Sequence, residues 1–281
     1  MAVSVSLAGL RLDRELEMAT RLALEAGAAL RRRQAGPLEI RHKAQGEIVT
    51  AADIEADAII RAGLQAAFPG DPIFSEEGAD APDRLSRARV WIVDPLDSTS
   101  NFTEPGNEYS VSIGLSHDGR AVLGVVYEPA RDELIAGYLG AGVTLNGSAA
   151  RVSEVTDLGR TRLIVSRREW RWGLDRLAAT LPVRPVASIA YKLARVAAGL
   201  DDAMFSLLQR KQWDTCAGVA LVLAAGGRAT LLDGQDIWFN RPALKQPMGM
   251  VAAGPRLHPI LLDALRRLPP ASTTLNRGGH V

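Results

Sequence analysis

The chain has 281 residues, of which 47% are hydrophobic and 23% are charged. This is the composition of an ordinary globular protein, long enough for one large domain or two smaller lobes, and it excludes a disordered or fibrous chain. The formal net charge is +1. No overall electric field therefore favours a nucleic acid polymer or an acidic membrane surface, and a partner must be recognised locally.

Targeting and redox features favour a cytoplasmic protein. The N-terminal segment MAVSVSLAGLRLDRELEM lacks a basic leader and is interrupted by charged residues, so it does not resemble a signal peptide. No segment reaches the roughly 20 uninterrupted apolar residues that span a bilayer. The single cysteine, Cys216, excludes an internal disulfide and a cysteine-based zinc cluster.

The first half of the chain is predicted to place two helices beside an antiparallel sheet. Apolar residues recur at helical spacing over 12–33, which predicts an amphipathic first helix. Thr50 and Asp53 have the spacing of a capping box, and they open a second helix that continues to about Phe68. Apolar or alternating stretches predict strands at 73–75, 90–93, 109–116 and 121–127, the last two forming a hairpin.

Helices and strands alternate in the second half, from about residue 153. The predicted strands are 162–165, 203–207 and 228–231, and the predicted helices are 170–181, 187–199 and 214–225. We therefore predict an N-terminal α+β lobe over residues 1–152 and a C-terminal α/β lobe over residues 153–281. The tail 272–281 is predicted to be disordered.

Two carboxylates, Asp94 and Asp97, follow the apolar run in RVWIVDPLDSTSNF. Pro95 between them has no amide hydrogen for a sheet ladder, so we expect the strand to end before it and both carboxylates to face one point. Carboxylates placed together in this way can hold hard divalent cations. The alternative is a polar turn in which Asp97 or Ser98 caps a helix, and the spacing alone does not decide between the two.

Ser98 and Thr99 come next, and the first amides of a helix beginning there would point at an anion such as phosphate. Metal ions that bridge carboxylates and a phosphoryl group are a recurrent arrangement for phosphoryl transfer to water. A site for two metals needs further acids, and the candidates are Asp53, Glu76 and Asp214. Asp53 and Asp214 could instead cap helices, and Glu76 alone could be a surface acid.

Other hydrolytic chemistries lack necessary residues. The four histidines are scattered, and the sequence contains no Gly-x-Ser-x-Gly elbow, Walker loop or dinucleotide fingerprint. Cys216 lies in an apolar helix and is interpreted as a small core residue rather than a catalytic thiol.

Four segments resemble motifs of the inositol monophosphatase superfamily, in the family's order and separations, over roughly residues 12–255. IVTAAD resembles V-T-x-x-D, SEEG resembles G-E-E, WIVDPLDSTSNF resembles D-P-φ-D-G-T with an apolar φ, and WDTCAG resembles W-D-x-x-A-G. The resemblance implies an α-β-α-β-α layered sandwich of the α+β / α/β class. It also implies magnesium-dependent, lithium-sensitive hydrolysis of a small phosphate monoester, and it allows a homodimer.

The same resemblance assigns roles to individual residues. The implied ligands of two or three Mg²⁺ ions are Glu76, Asp94, the carbonyl of Leu96, Asp97 and Asp214. Phosphate would lie against the amides of Ser98 and Thr99, and Asp214 would also contact the substrate. Asp53 and Thr99 would help to orient the attacking water, and Glu76 counts as catalytic as well as a ligand. Most ligands thus fall in the N-terminal lobe, and Asp214 and the specificity residues fall in the C-terminal lobe.

Ser98 departs from the family, which has glycine at this position. If the glycine serves a positive φ or a close approach of phosphate, serine adds strain or bulk. Its hydroxyl could also donate a hydrogen bond to the phosphate. The departure leaves open a non-catalytic protein that binds metal or a phosphate ligand on the same fold.

The substrate is predicted from smaller details. Three details resemble the 3′(2′),5′-bisphosphate nucleotidase branch, which hydrolyses 3′-phosphoadenosine 5′-phosphate. LIVSRRE resembles the V-x-S-R-S-H segment of this branch, and WDT is its usual form of the W-D motif. Lys192 lies where this branch has a lysine. Arg167 and Lys192 would then meet the second phosphate. An inositol-1-phosphate phosphatase is the alternative. TSNF resembles the T-T-N-F segment of the inositol enzymes better than the T-K-E-F segment of the nucleotidases. Arg168 and Glu169 also replace the Ser-His of the nucleotidase segment.

Overall fold

The computed structural model describes residues 9–38, 40–42, 48–104, 108–179 and 181–267. The start of the N-terminal segment and the predicted disordered tail 272–281 lie outside these ranges. The described residues form five layers: two helices, a seven-stranded sheet, two central helices, a five-stranded sheet and outer helices. This arrangement confirms the predicted α-β-α-β-α sandwich. None of the described helices is long and apolar enough to cross a membrane.

The elements have the following bounds. The helices are α1 (Asp13–Gln34), α2 (Ala51–Ala67), α3 (Thr99–Thr103), α4 (Arg167–Arg171), α5 (Ile189–Ala197), α6 (Gln212–Ala224) and α7 (Leu257–Arg266), with 3₁₀ turns at Pro82–Ser86, Leu158–Arg160 and Leu174–Ala179. The strands are β1 (Ile40–His42), β2 (Ile48–Thr50), β3 (Ile73–Ser75), β4 (Arg89–Asp97), β5 (Ser110–His117), β6 (Arg120–Glu128), β7 (Glu133–Tyr138), β8 (Gly142–Leu145), β9 (Ser148–Ala150), β10 (Leu163–Ser166), β11 (Val183–Val186), β12 (Ala203–Ser206), β13 (Arg228–Leu231) and β14 (Met250–Ala253).

Helices α1 and α2 pack together on the outer face of the first sheet. The predicted capping box at the start of α2 is confirmed. The Thr50 hydroxyl accepts from the amide of Ala52 at 3.1 Å, and the Thr50 amide donates to Asp53 Oδ2 at 2.8 Å. Both bonds are local, which explains why the sequence predicts this helix start.

The first sheet has the order β3-β4-β5-β6-β7-β8-β9, with β3 parallel to β4 and the other pairs antiparallel. The prediction that a strand ends before Pro95 is wrong, because β4 continues to Asp97. Asp94 pairs with Ser112 and Asp97 pairs with Ser110, so the register shifts between them and Pro95 lies in a bulge. A bulge leaves its residues out of the ladder, so the missing amide hydrogen of proline costs no hydrogen bond there.

The prediction of one helix over 170–181 is also wrong. The chain forms the short helix α4 and then the 3₁₀ turn Leu174–Ala179, with Gly173 between them at φ 121°. This backbone angle lies far from helical values and is open to glycine at little steric cost, so the helix ends before it.

Helices α5 and α6 lie between the two sheets and contact both. The second sheet has the order β11-β10-β12-β14-β13. A single apolar cluster includes Ile92 and Val126 of the first sheet, Ile164 and Met204 of the second, and Ala217 of α6. Strands β1–β9 fall within residues 1–152 and β10–β14 fall within 153–281, and the two parts of the chain share this cluster.

Two paired glycines let α6 lie directly on the first sheet. Gly114 of β5 pairs with Gly124 of β6. An added Cβ would lie 2.8 Å from the nitrogen of Ala217 at Gly114, and 2.1 Å from the carbonyl oxygen of Ala217 at Gly124. Because both obstacles are helix backbone, neither can move aside. The glycines therefore fix the distance from α6, and hence from Asp214 in its first turn, to the sheet.

We expect Gly124→Ala to lower the free energy of unfolding by about 3 kcal/mol, at the upper end of overpacking effects, because the clash is with backbone. Urea denaturation measures this change. The matched control is Gly70→Ala, where a Cβ meets no heavy atom within 4 Å, and it should stay within about 0.5 kcal/mol of wild type. Equal stability of the two variants would contradict the close packing.

Candidate active site

A cavity of about 380 Å³ opens where the end of β4 meets the N-terminal ends of α5 and α6. It is lined by nine of the ten residues predicted for the site: Glu76, Asp94, Leu96, Asp97, Ser98, Thr99, Arg167, Lys192 and Asp214. Asp53 does not line the cavity and reaches it through Thr99. The fold thus brings together residues from both halves of the chain.

Three carboxylates form the acidic cluster of the cavity. Single oxygens of Glu76, Asp94 and Asp214 all lie within 4.8 Å of one another. Glu76 follows β3, Asp94 comes from the parallel neighbour β4, and Asp214 comes from the first turn of α6. Adjacent parallel strands carry their C-terminal ends to one edge of the sheet, which accounts for the first two.

Asp94 and Asp214 divide their oxygens between structure and cavity. Asp94 Oδ1 accepts from the amide of Leu96 at 3.0 Å, and Asp214 Oδ2 accepts from the amide of Lys211 at 3.0 Å. The second oxygen of each accepts no hydrogen bond from the described part of the chain. The predicted alternatives of capping and ligation are therefore compatible at Asp214, because capping uses Oδ2 and leaves Oδ1 for a cation.

Asp97 is oriented in the same way by α5. Its Oδ2 accepts from the hydroxyl of Ser188 and from the amide of Ala190, both at 2.7 Å. Burial raises the pKa of Asp97, and these two hydrogen bonds oppose the rise. The second oxygen, Oδ1, has no hydrogen-bond donor within the described ranges and stays available to a cation.

Burial and mutual repulsion raise the pKa values of the acidic cluster. The pKa of Asp94 lies well above its ordinary value, first because of burial and then because of Glu76, Asp97 and Asp214. Burial, followed by Asp97 and Glu76, raises the pKa of Asp214 to about 8. Crowded carboxylates of this kind are neutralised either by protons or by a cation bound between them.

The donor set fits a hard divalent cation such as Mg²⁺. The cluster offers carboxylate oxygens, and the carbonyl end of Leu96 belongs to the same cavity wall. Mg²⁺ and similar ions prefer oxygen ligands, whereas soft metals select thiolate. Cys216 is fully buried, and burial raises the pKa of its thiol, which confirms its interpretation as a core residue.

Thr99 links Asp53 to the cavity. Its hydroxyl lies 3.0 Å from Asp53 Oδ1 and 3.2 Å from the carbonyl oxygen of Leu96, and it donates to these acceptors. The other oxygen of Asp53 accepts from the Thr50 hydroxyl at 2.7 Å. Burial raises the pKa of Asp53, and its hydrogen bonds oppose the rise. Asp53 therefore fixes the position of the Thr99 hydroxyl at the start of α3.

Ser98 adopts the left-handed conformation that the family glycine suggests, with φ 84° and ψ 49°. A side chain in this region costs roughly 1–2 kcal/mol relative to glycine. The hydroxyl recovers part of this cost by accepting from Asn101 Nδ2 at 3.0 Å and from the amide of Ser188 at 3.2 Å. The second bond ties the start of α3 to the start of α5.

Lys192 lies deeper than its predicted role requires. Its side chain is 1% exposed, and Nζ donates to the carbonyls of Val186 at 3.1 Å and Ser188 at 2.8 Å. Burial, and then the nearby charge of Arg210, lower the pKa of Lys192 to about 7. The side-chain amine therefore holds its proton less firmly than that of an exposed lysine.

Arg167 lies at the rim of the cavity, with 40% of its side chain exposed. Its Nε donates to Glu108 Oε2 at 2.8 Å. Burial alone would raise the pKa of Glu108, but hydrogen bonds from Arg167 and the Ala187 amide outweigh it, so the pKa lies below its ordinary value. Glu108 is thus ionised and orients Arg167.

Two basic residues of the cavity wall, Arg210 and Lys211, are absent from the sequence prediction. Lys211 Nζ lies 3.3 Å from Glu76 Oε1 and 5.2 Å from the centre of the Trp213 ring. Arg210 Nη2 donates to Glu169 Oε2 at 2.6 Å. In the sequence Arg210 and Lys211 precede the WDT motif, with Gln212 between. A basic pair so close to the candidate ligand Asp214 could have indicated their position.

The model of the inositol monophosphatase family matches residues 11–269, which is most of the chain and includes every residue of the cavity. The chain belongs to the inositol monophosphatase family. Members of this family are metal-dependent phosphatases, so the protein is a hydrolase of small phosphorylated substrates. This membership sets aside the non-catalytic alternative.

Named relatives point to two substrates. An inositol-1-monophosphatase of Mesorhizobium japonicum is 35% identical over 242 residues, covering 80% of this chain and 88% of the relative. A 3′-phosphoadenosine 5′-phosphate phosphatase of Mycobacterium bovis is 34% identical over 223 residues, covering 76% and 80%. The solved structure of an inositol monophosphatase from Anabaena superimposes with a TM-score of 0.79 at 30% identity, covering 93% of this chain and 98% of that one.

We expect Asp214→Asn to flatten the pH dependence of stability in the metal-free protein. The folded-state pKa of Asp214 is raised to about 8, so its favourable contribution is present at acid pH and is lost as the pH rises toward that value. The melting temperature in chelator at pH 5 and pH 8 measures this. With Mg²⁺, activity should fall more than about 100-fold, beyond the effect of residues that only orient a ligand.

Asp263→Asn on α7 is the control for that experiment, because this carboxylate is exposed, pairs with Arg267 and does not line the cavity. It should leave both the pH dependence and the activity unchanged. A wild-type pH dependence in Asp214→Asn would contradict the repulsion among the acids.

Substitutions at Ser98 should separate strain from hydrogen bonding. Ser98→Ala keeps the strained conformation and loses two accepted hydrogen bonds, so the free energy of unfolding should fall by about 2 kcal/mol. Ser98→Gly loses the same bonds but relieves strain of similar size, so it should stay within about 1 kcal/mol of wild type and remain active. Urea denaturation compares them, and equal stabilities for the two variants would refute the strain at this position.

Proposed function

We propose that this phosphatase hydrolyses 3′-phosphoadenosine 5′-phosphate and is a 3′(2′),5′-bisphosphate nucleotidase. The observation that supports this substrate is the charge inventory of the cavity. Its wall combines four acidic residues with five basic ones, namely Arg167, Arg168, Lys192, Arg210 and Lys211. Glu108 and Glu169 pair with Arg167 and Arg210 from behind the wall. Once divalent cations occupy the four acids, positive charge is still in excess, and such a cavity favours a multiply charged anion.

Inositol 1-phosphate has one phosphate and a neutral ring. Its single phosphate is therefore the only anionic group that either the metals or the basic side chains can bind. 3′-Phosphoadenosine 5′-phosphate has a second phosphate, which can meet Arg167 and Lys192 while the first lies at the metals. The number of basic residues therefore matches the bisphosphate better than the inositol ester.

In this proposal Glu76, Asp94, the Leu96 carbonyl, Asp97 and Asp214 hold two or three Mg²⁺ ions. Bound magnesium supplies Lewis-acid stabilisation of the phosphoryl group and a more acidic water. The amides of Ser98 and Thr99 bind phosphate oxygens, since the first amides of α3 have no partner within the helix.

The attacking water is oriented by the Asp53 and Thr99 pair in this proposal. Thr99 donates its hydroxyl proton to Asp53 or to the Leu96 carbonyl. Its oxygen can then accept a hydrogen bond from the water, and this hydrogen bond sets the direction in which the water's lone pair faces phosphorus. Asp214 lies beside the same space and contacts the substrate.

An inositol-1-phosphate phosphatase is the second candidate. Asn101 of the TSNF segment lines the cavity and supports the Ser98 hydroxyl at 3.0 Å. This segment resembles the inositol enzymes, and a relative at 35% identity carries that name. The choice between the two substrates is experimental.

Phosphate release from 3′-phosphoadenosine 5′-phosphate, inositol 1-phosphate and fructose 1,6-bisphosphate tests the proposal. We expect the bisphosphate nucleotide to have a kcat/KM more than roughly tenfold above the other two, a margin worth about 1.4 kcal/mol, and lithium to inhibit the magnesium-dependent reaction. Asp214→Asn serves as the control for contaminating phosphatase. A preference for inositol 1-phosphate would reject the nucleotide, and no turnover of any substrate would reject the catalytic site.

A further inference from the structure

Arg210 of the cavity wall forms a buried ion pair with Glu169. Neither residue belongs to the four family motifs. Glu169 of α4 is fully buried, and the side chain of Arg210 is 16% exposed. Arg210 Nη2 lies 2.6 Å from Glu169 Oε2. A pair at this depth is costly to desolvate, and the cost must be offset by further hydrogen bonds or by function.

Glu169 is held from several directions. Its carboxylate accepts from the Ser166 hydroxyl at 2.5 Å, from the Leu207 amide at 2.6 Å and from the Ser206 hydroxyl at 3.1 Å. These donors belong to the start of α4 and the end of β12. The carboxylate therefore has a fixed position, and it fixes the guanidinium that it binds.

Arg210 retains an unused donor group. Its Nε donates to the Ser206 hydroxyl at 3.0 Å, and its Nη2 donates to Glu169. The third nitrogen, Nη1, donates to no group in the described part of the chain. The backbone is also anchored, because the Arg210 carbonyl accepts from the Gln246 amide at 2.7 Å.

The charge of Arg210 acts inside the reaction cavity. Arg210 directly precedes the N-cap residue of α6, the helix that carries Asp214, and Asp97 lies in the same cavity wall. Arg210 also lines the cavity together with both aspartates. Arg210 and the carboxylates that would hold the metal therefore face one cavity.

Arg210 combines properties that the other two candidate anion ligands lack. Lys192 gives two of its donors to backbone carbonyls and is 1% exposed, and Arg167 lies at the rim with 40% of its side chain exposed. A guanidinium keeps its charge at all physiological pH values, and its planar donors suit phosphate oxygens.

We propose that Arg210 is a specificity-determining residue that binds the second anionic group of a bisphosphorylated substrate through Nη1, and that Glu169 is its positioning residue. The substrate class is thus phosphate monoesters that carry a second phosphate. The inference rests on the proposed phosphatase function for the hydrolysed group, and it extends to any bisphosphate rather than to the nucleotide alone.

The test measures the preference for a second phosphate in two matched substrate pairs. The first pair is 3′-phosphoadenosine 5′-phosphate and 3′-adenosine monophosphate, and the second is fructose 1,6-bisphosphate and fructose 1-phosphate. Arg210→Met should lower kcat/KM for the bisphosphate by roughly 10- to 100-fold, the range of one charge-assisted hydrogen bond, mainly through KM. The monophosphate should lose clearly less than the bisphosphate, since it lacks the group that Arg210 binds, and the ratio of the two kcat/KM values measures this difference.

A double variant keeps the test valid if the single variant folds poorly, because Arg210→Met alone leaves the Glu169 charge buried without its partner. Glu169→Gln/Arg210→Met removes both charges and should show the same loss of preference as Arg210→Met. Glu169→Gln alone should lose part of the preference, measured as the ratio of the kcat/KM values for the two members of each pair. Arg176→Met, at an exposed arginine that does not line the cavity, should keep the wild-type preference.

The outcomes separate this inference from the choice of substrate. One outcome is that Arg210→Met loses the preference for fructose 1,6-bisphosphate while the wild-type protein does not hydrolyse the nucleotide. It would support the role of Arg210 and overturn the nucleotide as the substrate. If the wild-type protein prefers the monophosphate in both pairs, the role of Arg210 is overturned, whereas the phosphatase activity is not affected by this result. Equal loss for both members of each pair, or no change in either, would also overturn this role.

Discussion

Repulsion among buried carboxylates is the constraint on which this site depends. Asp94, Asp97 and Asp214 crowd one cavity with Glu76, and burial with mutual repulsion raises the pKa values of Asp94 and Asp214. The fold holds the three aspartates in place with one oxygen each, through main-chain donors that cannot move away. The other oxygens of these aspartates accept no hydrogen bond from the described residues, so a divalent cation bound among the acids would relieve the repulsion and join elements distant in sequence.

The layered packing supplies the rigidity that this arrangement requires. The backbone of α6 rests on Gly114 and Gly124 of the first sheet, and α5 meets both sheets. The bulge in β4 turns Asp94 and Asp97 toward the ends of these helices. The same contacts that bury the central apolar cluster therefore set the distances between the acids of the cavity. A sheet and a helix in backbone contact cannot move closer together or shift without a clash.

Two arginines of the cavity are also held in place by carboxylates. Glu108 orients Arg167 and Glu169 orients Arg210. Each carboxylate is fixed in turn by a backbone amide, from Ala187 and Leu207 respectively. An arginine held in this way loses little conformational freedom when an anion binds, so a larger share of the interaction appears as affinity. Acids thus form the cluster that could hold a metal, and other acids support the groups that would meet the substrate.

Local chemistry determined much of this protein from the sequence alone: helix α1, the capping box of Thr50 and Asp53, the β5–β6 hairpin, and the acids of the four motifs all depend on periodicity or on short spacings. The course of β4 through Pro95 did not follow from its own residues, because a bulge is set by the register of the partner strand. Likewise, the burial of Lys192 and the pairing of Arg210 with Glu169, 41 residues away, arise only when α4, β12 and α6 are assembled. The sequence decided which charged groups exist, and tertiary structure decided which of their atoms remain free to act, since that depends on donors supplied by distant segments.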